Sequence, residues 1–198
     1  QADKPAAAAP PAALDEFLER VRKSQRGPFA GNPIAKNDAG EIVGLSLGEF
    51  TAHAAAGTFS FSDGLRLVAA RGRFMDDACA ATRGAMAAMI GGEEAAVRAL
   101  AADCDVDVAN LNAPGQSVLS GSEEGIALAI AGAKARGIRL AKPLQVAGAY
   151  HSRLMRSAQD QLAAELTGTP LTAPALPVIS NVTAGPVADP SEIRRTLV

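Results

Sequence analysis

The sequence predicts an α/β fold in which a smaller subdomain is inserted into a sheet-and-helix core. Two patterns carry this prediction. A β-branched strand over residues 41–46 runs straight into a tight turn and a helix, and residues 83–146 alternate in the ferredoxin-like order β-α-β-β-α-β. With 48% hydrophobic and 20% charged residues over 198 positions, the composition is that of a globular chain, which buries roughly 70% of its unfolded surface.

The first 40 residues are predicted to form an atypical, poorly ordered region. Residues 5–13 contain only alanine and proline, a composition that extends and does not pack. A short helix from Leu14 follows and ends at Gly27, and residues 27–40 have the Gly, Pro, Asn and Asp content of a loop. Because the chain opens with Gln1 and not Met, we interpret its start as a processed end or a fragment boundary.

The core is predicted over residues 41–82 and 147–198. After the strand, a helix spans 49–56, and a second helix, capped by Ser62, ends near Ala80. An apolar stripe marks the buried face of that second helix and comprises Leu65, Val68, Ala69 and Gly72. The later elements of the core are a helix over 152–166, a strand over 178–180 and a final helix begun by Ser191.

The inserted subdomain is predicted over residues 83–146. Its hydrophobic pattern changes between the helical and the strand period four times, and the two middle strands follow one another, which gives six short elements. They are a strand over 85–90, a helix over 93–102, strands over 106–111 and 117–120, a helix over 124–136 and a strand over 138–146.

Charge and cysteine content exclude several classes of protein. The chain has 19 basic and 21 acidic residues and a net charge of −2, so no long-range positive field attracts nucleic acid. Two cysteines are too few for a disulfide scaffold, and no Cys/His cluster could hold a metal. No apolar run approaches the ~20 residues of a membrane span. We therefore predict a cytoplasmic monomer with no metal, cofactor, nucleic-acid partner or membrane contact.

Residues 44–48, Gly-Leu-Ser-Leu-Gly, have the G-x-S-x-G pattern of a serine nucleophile. A nucleophilic serine stands exposed at a strained strand-to-helix turn, where side chains two positions either side would collide. This predicts Ser46 as the nucleophile and the backbone N–H of Leu47 as a donor to the developing oxyanion. The alternative is a turn of small residues without chemistry.

A serine nucleophile needs a base, and the chain contains only two histidines. His53 lies one to two turns into the helix after Ser46 and points away from it. His151 lies where the chain leaves the inserted subdomain, and we predict it as the base. None of the aspartates between Ser46 and His151 is placed to orient the histidine, which argues against an ordinary esterase.

Arg71 lies on the second helix among other arginines. One interpretation is a solvated helix residue. The other is a guanidinium that binds a substrate carboxylate through two parallel hydrogen bonds.

Several motifs, in this order and spacing, resemble the bacterial malonyl-CoA:acyl carrier protein transacylases. The resemblance covers about residues 41–198 and implies an α/β-hydrolase-like, parallel-sheet core with an inserted ferredoxin-like subdomain, in agreement with the element order above. The motifs are Gly-Leu-Ser-Leu-Gly-Glu-Phe at 44–50, Arg-Gly-Arg-Phe-Met at 71–75, Gly-Ala-Met-Ala-Ala-Met-Ile-Gly at 84–91, Asn-Ala-Pro-Gly-Gln at 112–116 and Gly-Ala-Tyr-His-Ser at 148–152.

The resemblance implies transfer of a malonyl group from CoA to the phosphopantetheine thiol of acyl carrier protein, in fatty acid biosynthesis. Ser46 and His151 are then the catalytic pair, with backbone carbonyls in place of an acid. Arg71 matches the family's carboxylate-binding arginine. Tyr150 stands where malonyl-specific relatives commonly have Phe, and Asn112 lies in a motif near the cleft, so both are counted with Leu47 as substrate-binding residues.

Two features of this family are absent from the sequence. Residues 1–40 have no Gly-Gln-Gly loop, whose glutamine supports the oxyanion hole, and the C-terminal Gly-Pro-Gly segment is not found. We therefore expect the chain as written to turn over slowly. The alternatives are a truncated or degenerate paralogue that binds carrier protein or acyl-CoA without efficient turnover, and a serine hydrolase or thioesterase.

Basic residues also cluster in the second half of the chain. Because carrier proteins are typically acidic, this cluster is a candidate docking surface; the alternative is a set of solvated helix and strand faces. Its members are Lys134, Arg136, Arg139, Lys142, Arg153 and Arg156.

Overall fold

The computed structural model describes residues 34–36 and 40–198. The predicted linker over 5–13 and the predicted helix from Leu14 lie outside the described residues. The helices are α1 Leu47–Ala55, α2 Phe61–Ala81, α3 Glu94–Asp103, α4 Glu123–Gly132, α5 Arg156–Gly168 and α6 Pro190–Thr196. The strands are β1 Ile34–Lys36, β2 Ile42–Gly44, β3 Gly84–Ile90, β4 Asp107–Ala113, β5 Gln116–Ser122, β6 Leu140–Pro143, β7 Val178–Ile179 and β8 Pro186–Val187.

The described chain divides into two compact units. The first comprises the described residues up to Ala70 together with Leu162–Val198, and the second comprises Arg71–Gln161. Among the helices of the described residues, none combines the length and the apolar character that crossing a bilayer requires.

The sheet of the first unit has the strand order β1-β2-β7-β8. β2 and β7 pair in parallel, with Val43 opposite Ile179, and the other two pairings are antiparallel. Because neighbouring parallel strands end at the same edge of a sheet, the residues that follow β2 and β7 meet there. The core beneath this sheet is formed by Ile34, Ile42, Ala52, Ala56 and Val178.

β1 lies within the segment 27–40 that the sequence predicts to be loop, and this part of the prediction was wrong. Ile34 pairs with Gly44 and is buried in the core of the first unit. Three residues between Asn-Pro and Asn-Asp carry no strand pattern of their own. The strand exists because its partner β2 and the apolar core stabilise it.

α2 is capped by the side chain of Ser60, two residues before the predicted cap Ser62. The Asp63 N–H donates to Ser60 Oγ at 3.0 Å, and the Ser60 hydroxyl donates to Asp63 Oδ2 at 2.7 Å. The buried stripe shifts accordingly: Leu67 and Ala70 are buried, whereas Leu65 is exposed.

The second unit is built on an antiparallel sheet of strand order β4-β5-β3-β6. Its elements follow one another in the predicted order, β3-α3-β4-β5-α4-β6. β3 and β5 are paired along their whole length, from Gly84 opposite Ser122 to Ile90 opposite Gln116. The core of this unit is contributed by both helices and the central strands and comprises Ala87, Met89, Val97, Leu100, Ala101, Val106, Leu119, Ile126, Ala129, Ala133 and Ile138.

Candidate active site

Ser46 stands at the turn between β2 and α1 with φ 53° and ψ −106°. A non-glycine residue in this region costs about 1–3 kcal/mol and persists where its surroundings over-determine it. The predicted collision is found at Gly44, the glycine that precedes the turn. A Cβ on Gly44 would lie 2.2 Å from the carbonyl oxygen of Gly48, so only glycine fits at position 44. The sequence therefore builds the sharp turn that a serine nucleophile requires.

The backbone amides of this elbow differ in their partners. The Ser46 N–H donates to Asn181 Oδ1 at 2.6 Å. The N–H groups of Gly48 and Glu49 donate to backbone carbonyls of the turn at 2.9 and 3.1 Å. Within the part of the chain that the structure describes, no acceptor is seen for the Leu47 N–H at the N-terminus of α1. It is therefore a suitable donor for an oxyanion.

Glu49 lies one turn into α1 and is buried, with 4% of its surface exposed. Its Oε2 accepts from the Asn181 N–H at 3.2 Å, while Oε1 has no hydrogen-bond partner among the described residues. Burial raises the pKa of Glu49 to about 7, and the hydrogen bonds from Asn181 and the Ser180 side chain limit this rise. The carboxyl group therefore titrates near neutral pH.

His53 is fully buried in the first unit, as a core residue. Its Nδ1 lies 3.0 Å from the hydroxyl of Thr58, and no hydrogen-bond partner of its Nε2 lies within residues 34–36 and 40–198. Burial lowers the pKa of His53 to about 4, so the imidazole is neutral at physiological pH. The prediction that His53 is not positioned to serve as a base agrees with this burial.

The second unit brings Arg71, Tyr150 and His151 together. Partial desolvation of the imidazole lowers the pKa of His151, and the positive charge of Arg71 lowers it further. His151 keeps an exposed surface and has φ 56°, a second strained position. A neutral, accessible imidazole is the form that can take up a proton.

Arg71 is half-buried near the middle of α2. Burial lowers the pKa of Arg71 and the nearby Tyr150 opposes this shift. Arginine nevertheless stays protonated at any physiological pH. A half-buried guanidinium attracts a carboxylate more strongly than a solvated one, because less water competes for it.

Close packing fixes the turn that carries Tyr150 and His151. A Cβ on Gly148 would lie 2.4 Å from the Cys79 sulfur on α2, and a Cβ on Gly84 would lie 2.6 Å from the Ala149 side chain. Tyr150 and Cys79 are hydrogen-bonded to each other, and burial raises the pKa of both groups. This packing explains why residues 148 and 149 are small.

Asn112 lies near the exposed end of β4, which belongs to the second unit. Ser46 and Leu47 belong to the first unit. Ser46 thus lies at a strained elbow in the first unit, and His151 lies near the charged Arg71 in the second unit.

Residues 36–195 match the protein family described as acyl transferase domain. The chain belongs to this family. The acyl transferase domain is 40% identical over 195 residues to the polyketide biosynthesis protein ThaF of Burkholderia thailandensis, a match that covers 93% of the chain and 17% of ThaF. It is 40% identical over 161 residues to the malonyl CoA-acyl carrier protein transacylase of Bacillus subtilis, which covers 79% of the chain and 51% of that enzyme.

The acyl transferase domain also resembles solved structures. The malonyl CoA-acyl carrier protein transacylase of Coxiella burnetii matches with a TM-score of 0.78 and 32% identity, over 93% of this chain and 57% of that one. The mixed α/β fold is therefore shared with these transacylases. The chain spans about half the length of the transacylases that it matches and a smaller share of the polyketide protein.

Sequence reasoning missed Asn181 and Glu49 as parts of the elbow of this acyl transferase domain. Asn181 follows Ser180 directly after β7, the strand that pairs in parallel with β2. A signal was available, because polar residues at the end of a strand beside the nucleophile's strand meet at one sheet edge. Using it required the knowledge that β2 and β7 are neighbours, which the local pattern does not give.

Proposed function

We propose that this acyl transferase domain moves a malonyl group from CoA to the phosphopantetheine thiol of an acyl carrier protein. Ser46 Oγ attacks the thioester carbon and its proton passes to His151. The C–S bond then breaks, and the proton goes from His151 to the CoA sulfur. In the second half the carrier thiol gives its proton to His151 and attacks the ester carbon, and Ser46 Oγ leaves with that proton.

The strained Ser46 elbow is the single observation that carries this proposal. Its positive φ is what a nucleophile requires, and the Leu47 N–H, which has no acceptor among the described residues, is what an oxyanion donor requires. A positioned oxyanion donor contributes about 10²–10³ in rate, roughly 2.7–4 kcal/mol. The neutral imidazole of His151 supports its role as the base.

Arg71 is proposed to bind the malonyl carboxylate in a bidentate manner, and Tyr150 to line the site of the acyl group. The half-buried guanidinium beside Tyr150 supports both roles. Asn112 is proposed as a further substrate-binding residue on the strength of its motif alone. A hydrolase would gain nothing from a cation at the acyl tail, which favours transfer of a charged acyl group.

We further propose the finer architecture of the family for this chain. The core is α/β-hydrolase-like over 41–82 and 147–198, and the ferredoxin-like subdomain spans 83–146. The parallel pairing of β2 with β7 supports the first assignment, and the strand order β4-β5-β3-β6 with two helices supports the second. The second half of α2 belongs to the same compact unit as that sheet, because it packs on Met155 and Ala158.

The proposed partners are malonyl-CoA and an acyl carrier protein of fatty acid biosynthesis, for a cytoplasmic monomer without a cofactor. The similarity to the malonyl CoA-acyl carrier protein transacylase of Bacillus subtilis supports the two partners. The similarity to the polyketide biosynthesis protein ThaF makes a carrier protein of polyketide biosynthesis the alternative acceptor.

Intact mass after incubation with malonyl-CoA tests the proposal directly. We expect one malonyl adduct, located on the peptide that contains Ser46 and absent in Ser46→Ala. His151→Ala should slow its formation about 10²–10⁴-fold, the usual contribution of a positioned base. Labelling that persists in Ser46→Ala would reject the nucleophile. Rapid loss of the adduct to water, without transfer to carrier protein, would indicate a hydrolase.

A further inference from the structure

The side chain of Asn181 spans the nucleophile elbow. Its Nδ2 donates to the carbonyl oxygen of Gly44 at 2.7 Å, and its Oδ1 accepts from the N–H of Ser46 at 2.6 Å. A carbonyl and an N–H two positions apart are the groups that one residue of a parallel neighbouring strand engages. The β2–β7 pairing ends at Val43 opposite Ile179. The Asn181 carboxamide therefore extends that ladder past the point where the chain bends.

The sequence Ser46-Leu47-Gly48-Glu49 has the spacing of a capping box, yet the box is not closed. In a closed box the serine side chain bonds to the N3 amide and the glutamate reaches back to the N-cap amide. Here the Ser46 side chain makes no capping bond, and Asn181 Oδ1 accepts from the N-cap amide instead. Asn181 thus takes the place that the Glu49 side chain has in a closed box.

Glu49 in turn holds Asn181. Its buried Oε2 accepts from the Asn181 N–H, and the Ser180 side chain adds a second hydrogen bond to the carboxyl. The contacts form a chain from Glu49 through the Asn181 backbone and carboxamide to both sides of Ser46. Every member lies in the first unit.

We propose that Asn181, held by Glu49, is a positioning residue for the Ser46 nucleophile. It holds the Ser46 N–H and the Gly44 carbonyl oxygen, in place of the Glu49 side chain of a closed box, and so stabilises the positive φ of Ser46 and the orientation of its Oγ for attack. The role of Ser46 as a nucleophile rests on the proposed function. The hydrogen-bonded arrangement does not depend on which acyl group is transferred.

The test compares Asn181→Ala and Asn181→Asp with Thr183→Ala, an exposed control in the same turn. We expect Asn181→Ala to speed hydrogen exchange at the Ser46 amide. Its rate constant of acylation at saturating malonyl-CoA should fall by up to about 10²-fold, the cost of misplacing a reacting group. KM for malonyl-CoA should change little, because the residue does not bind substrate. Asn181→Asp keeps the acceptor but loses the donor, so it should keep the amide protection and lose less rate.

Glu49 is tested by a conservative pair. Glu49→Gln retains an oxygen acceptor for the Asn181 N–H, whereas Glu49→Ala does not. We expect Glu49→Gln to recover most of the rate that Glu49→Ala loses. Equal rates in the two variants would show that an oxygen acceptor at position 49 does not hold Asn181 in place.

Labelling by a fluorophosphonate, which needs a reactive serine and no malonyl group, separates this inference from the proposed function. If wild type takes no malonyl group but Asn181→Ala exchanges the Ser46 amide faster and labels more slowly, the proposed function fails and the positioning role stands. Unchanged Ser46 exchange in Asn181→Ala would overturn the positioning role whatever the activity. So would a loss of rate that Thr183→Ala reproduces, because the turn and not the carboxamide would then be responsible.

Discussion

His151 and Arg71 lie close enough to interact through charge. Desolvation lowers the pKa of the imidazole, and the guanidinium lowers it further. The proposed carboxylate-binding group therefore also keeps the proposed base neutral. Binding of a malonyl carboxylate would neutralise part of that charge, which couples substrate recognition to the protonation of His151.

Removing the charge of Arg71 should raise the pKa of His151. In Arg71→Gln the imidazole then binds protons at higher pH, and the acid limb of the acylation rate moves to higher pH. Arg71→Lys keeps the charge and should leave the titration near that of wild type. NMR titration of the His151 ring protons measures both variants, with the exposed Arg73→Gln on the same helix as the control. An identical titration in wild type and Arg71→Gln would contradict the coupling.

Arg71 should also set acyl selectivity. A charge-assisted hydrogen-bonded contact contributes roughly 1.5–3 kcal/mol, or about 10–150-fold between malonyl and acetyl groups. Arg71→Ala should lose malonyl transfer and narrow the gap to acetyl, and Arg71→Lys should be nearly as poor because an ammonium cannot form two parallel bonds. Competition between malonyl-CoA and acetyl-CoA, read by intact mass, gives the ratio. The carboxylate-binding role fails if this ratio is the same in wild type and both variants.

Glu49 and His53 should oppose each other in the pH dependence of stability. Glu49 has a pKa raised from 4.5 to about 7, so its contribution is present below 4.5 and is lost as pH rises through 7. His53 has a pKa lowered from 6.5 to about 4, so its contribution is present above 6.5 and is lost as pH falls through 4. Between these pH limits the folded state binds more protons than the unfolded state at Glu49 and fewer at His53.

The free energy of unfolding of wild type should therefore vary little between about pH 5 and 6 through these two groups. Glu49→Gln leaves only His53, and stability should then rise with pH by at most about 1.4 kcal/mol per unit. His53→Gln leaves only Glu49, and stability should fall with pH by a similar amount. Urea denaturation at the two pH values measures each slope. Slopes of the same sign in both variants would show that the two groups do not oppose each other.

Ion pairs with acidic residues reduce the number of unpaired cations in the predicted basic docking cluster. Arg136 pairs with Asp103, Arg153 with Asp105 and Asp107, and Arg156 with Asp160. In the described part of the chain, the cations of this cluster without an ion pair are Lys134, Arg139 and Lys142.

We expect Arg139→Ala and Lys142→Ala to slow the transfer of the acyl group to an acidic carrier protein. The rate of this transfer should also depend less on salt concentration in the two variants, while the rate of Ser46 acylation by malonyl-CoA is unchanged. Arg156→Ala, whose charge is already paired, is the control. Transfer rates measured across a range of salt concentrations provide the comparison. If both half-reactions respond equally to salt, these residues do not dock the carrier.

The sequence predicts those features of the site that depend on local sterics. The Gly44 and Ser46 spacing is sufficient for the elbow, because the collision that excludes a side chain at 44 lies four residues away at Gly48. His151 was predicted as the base because the chain contains only two histidines and His53 points away from Ser46, whereas Arg71 was assigned from the resemblance, since a helix arginine carries little signal alone. Asn181 was missed because its contact with Ser46 spans 135 residues and depends on strand pairing.

The difference between local and long-range contacts also explains where the prediction of the fold was wrong. The element order of the second unit follows from its hydrophobic periods. The frame of α2 was displaced because Ser60 and Ser62 are both good caps, and the pairing of Ser60 with Asp63 decides between them. β1 is stabilised by its neighbours and has no local signal.

The separation of 135 positions between Ser46 and Asn181 also determines when the Ser46 elbow is completed during synthesis. The sheet of the second unit, β3 to β6, is contiguous in the chain and can fold on the ribosome as soon as residue 143 has emerged. Ser46 emerges much earlier but lacks its carboxamide partner until residue 181 follows. The elbow is therefore among the last parts of the described chain to be completed, and a nascent chain carries Ser46 before it is poised to react.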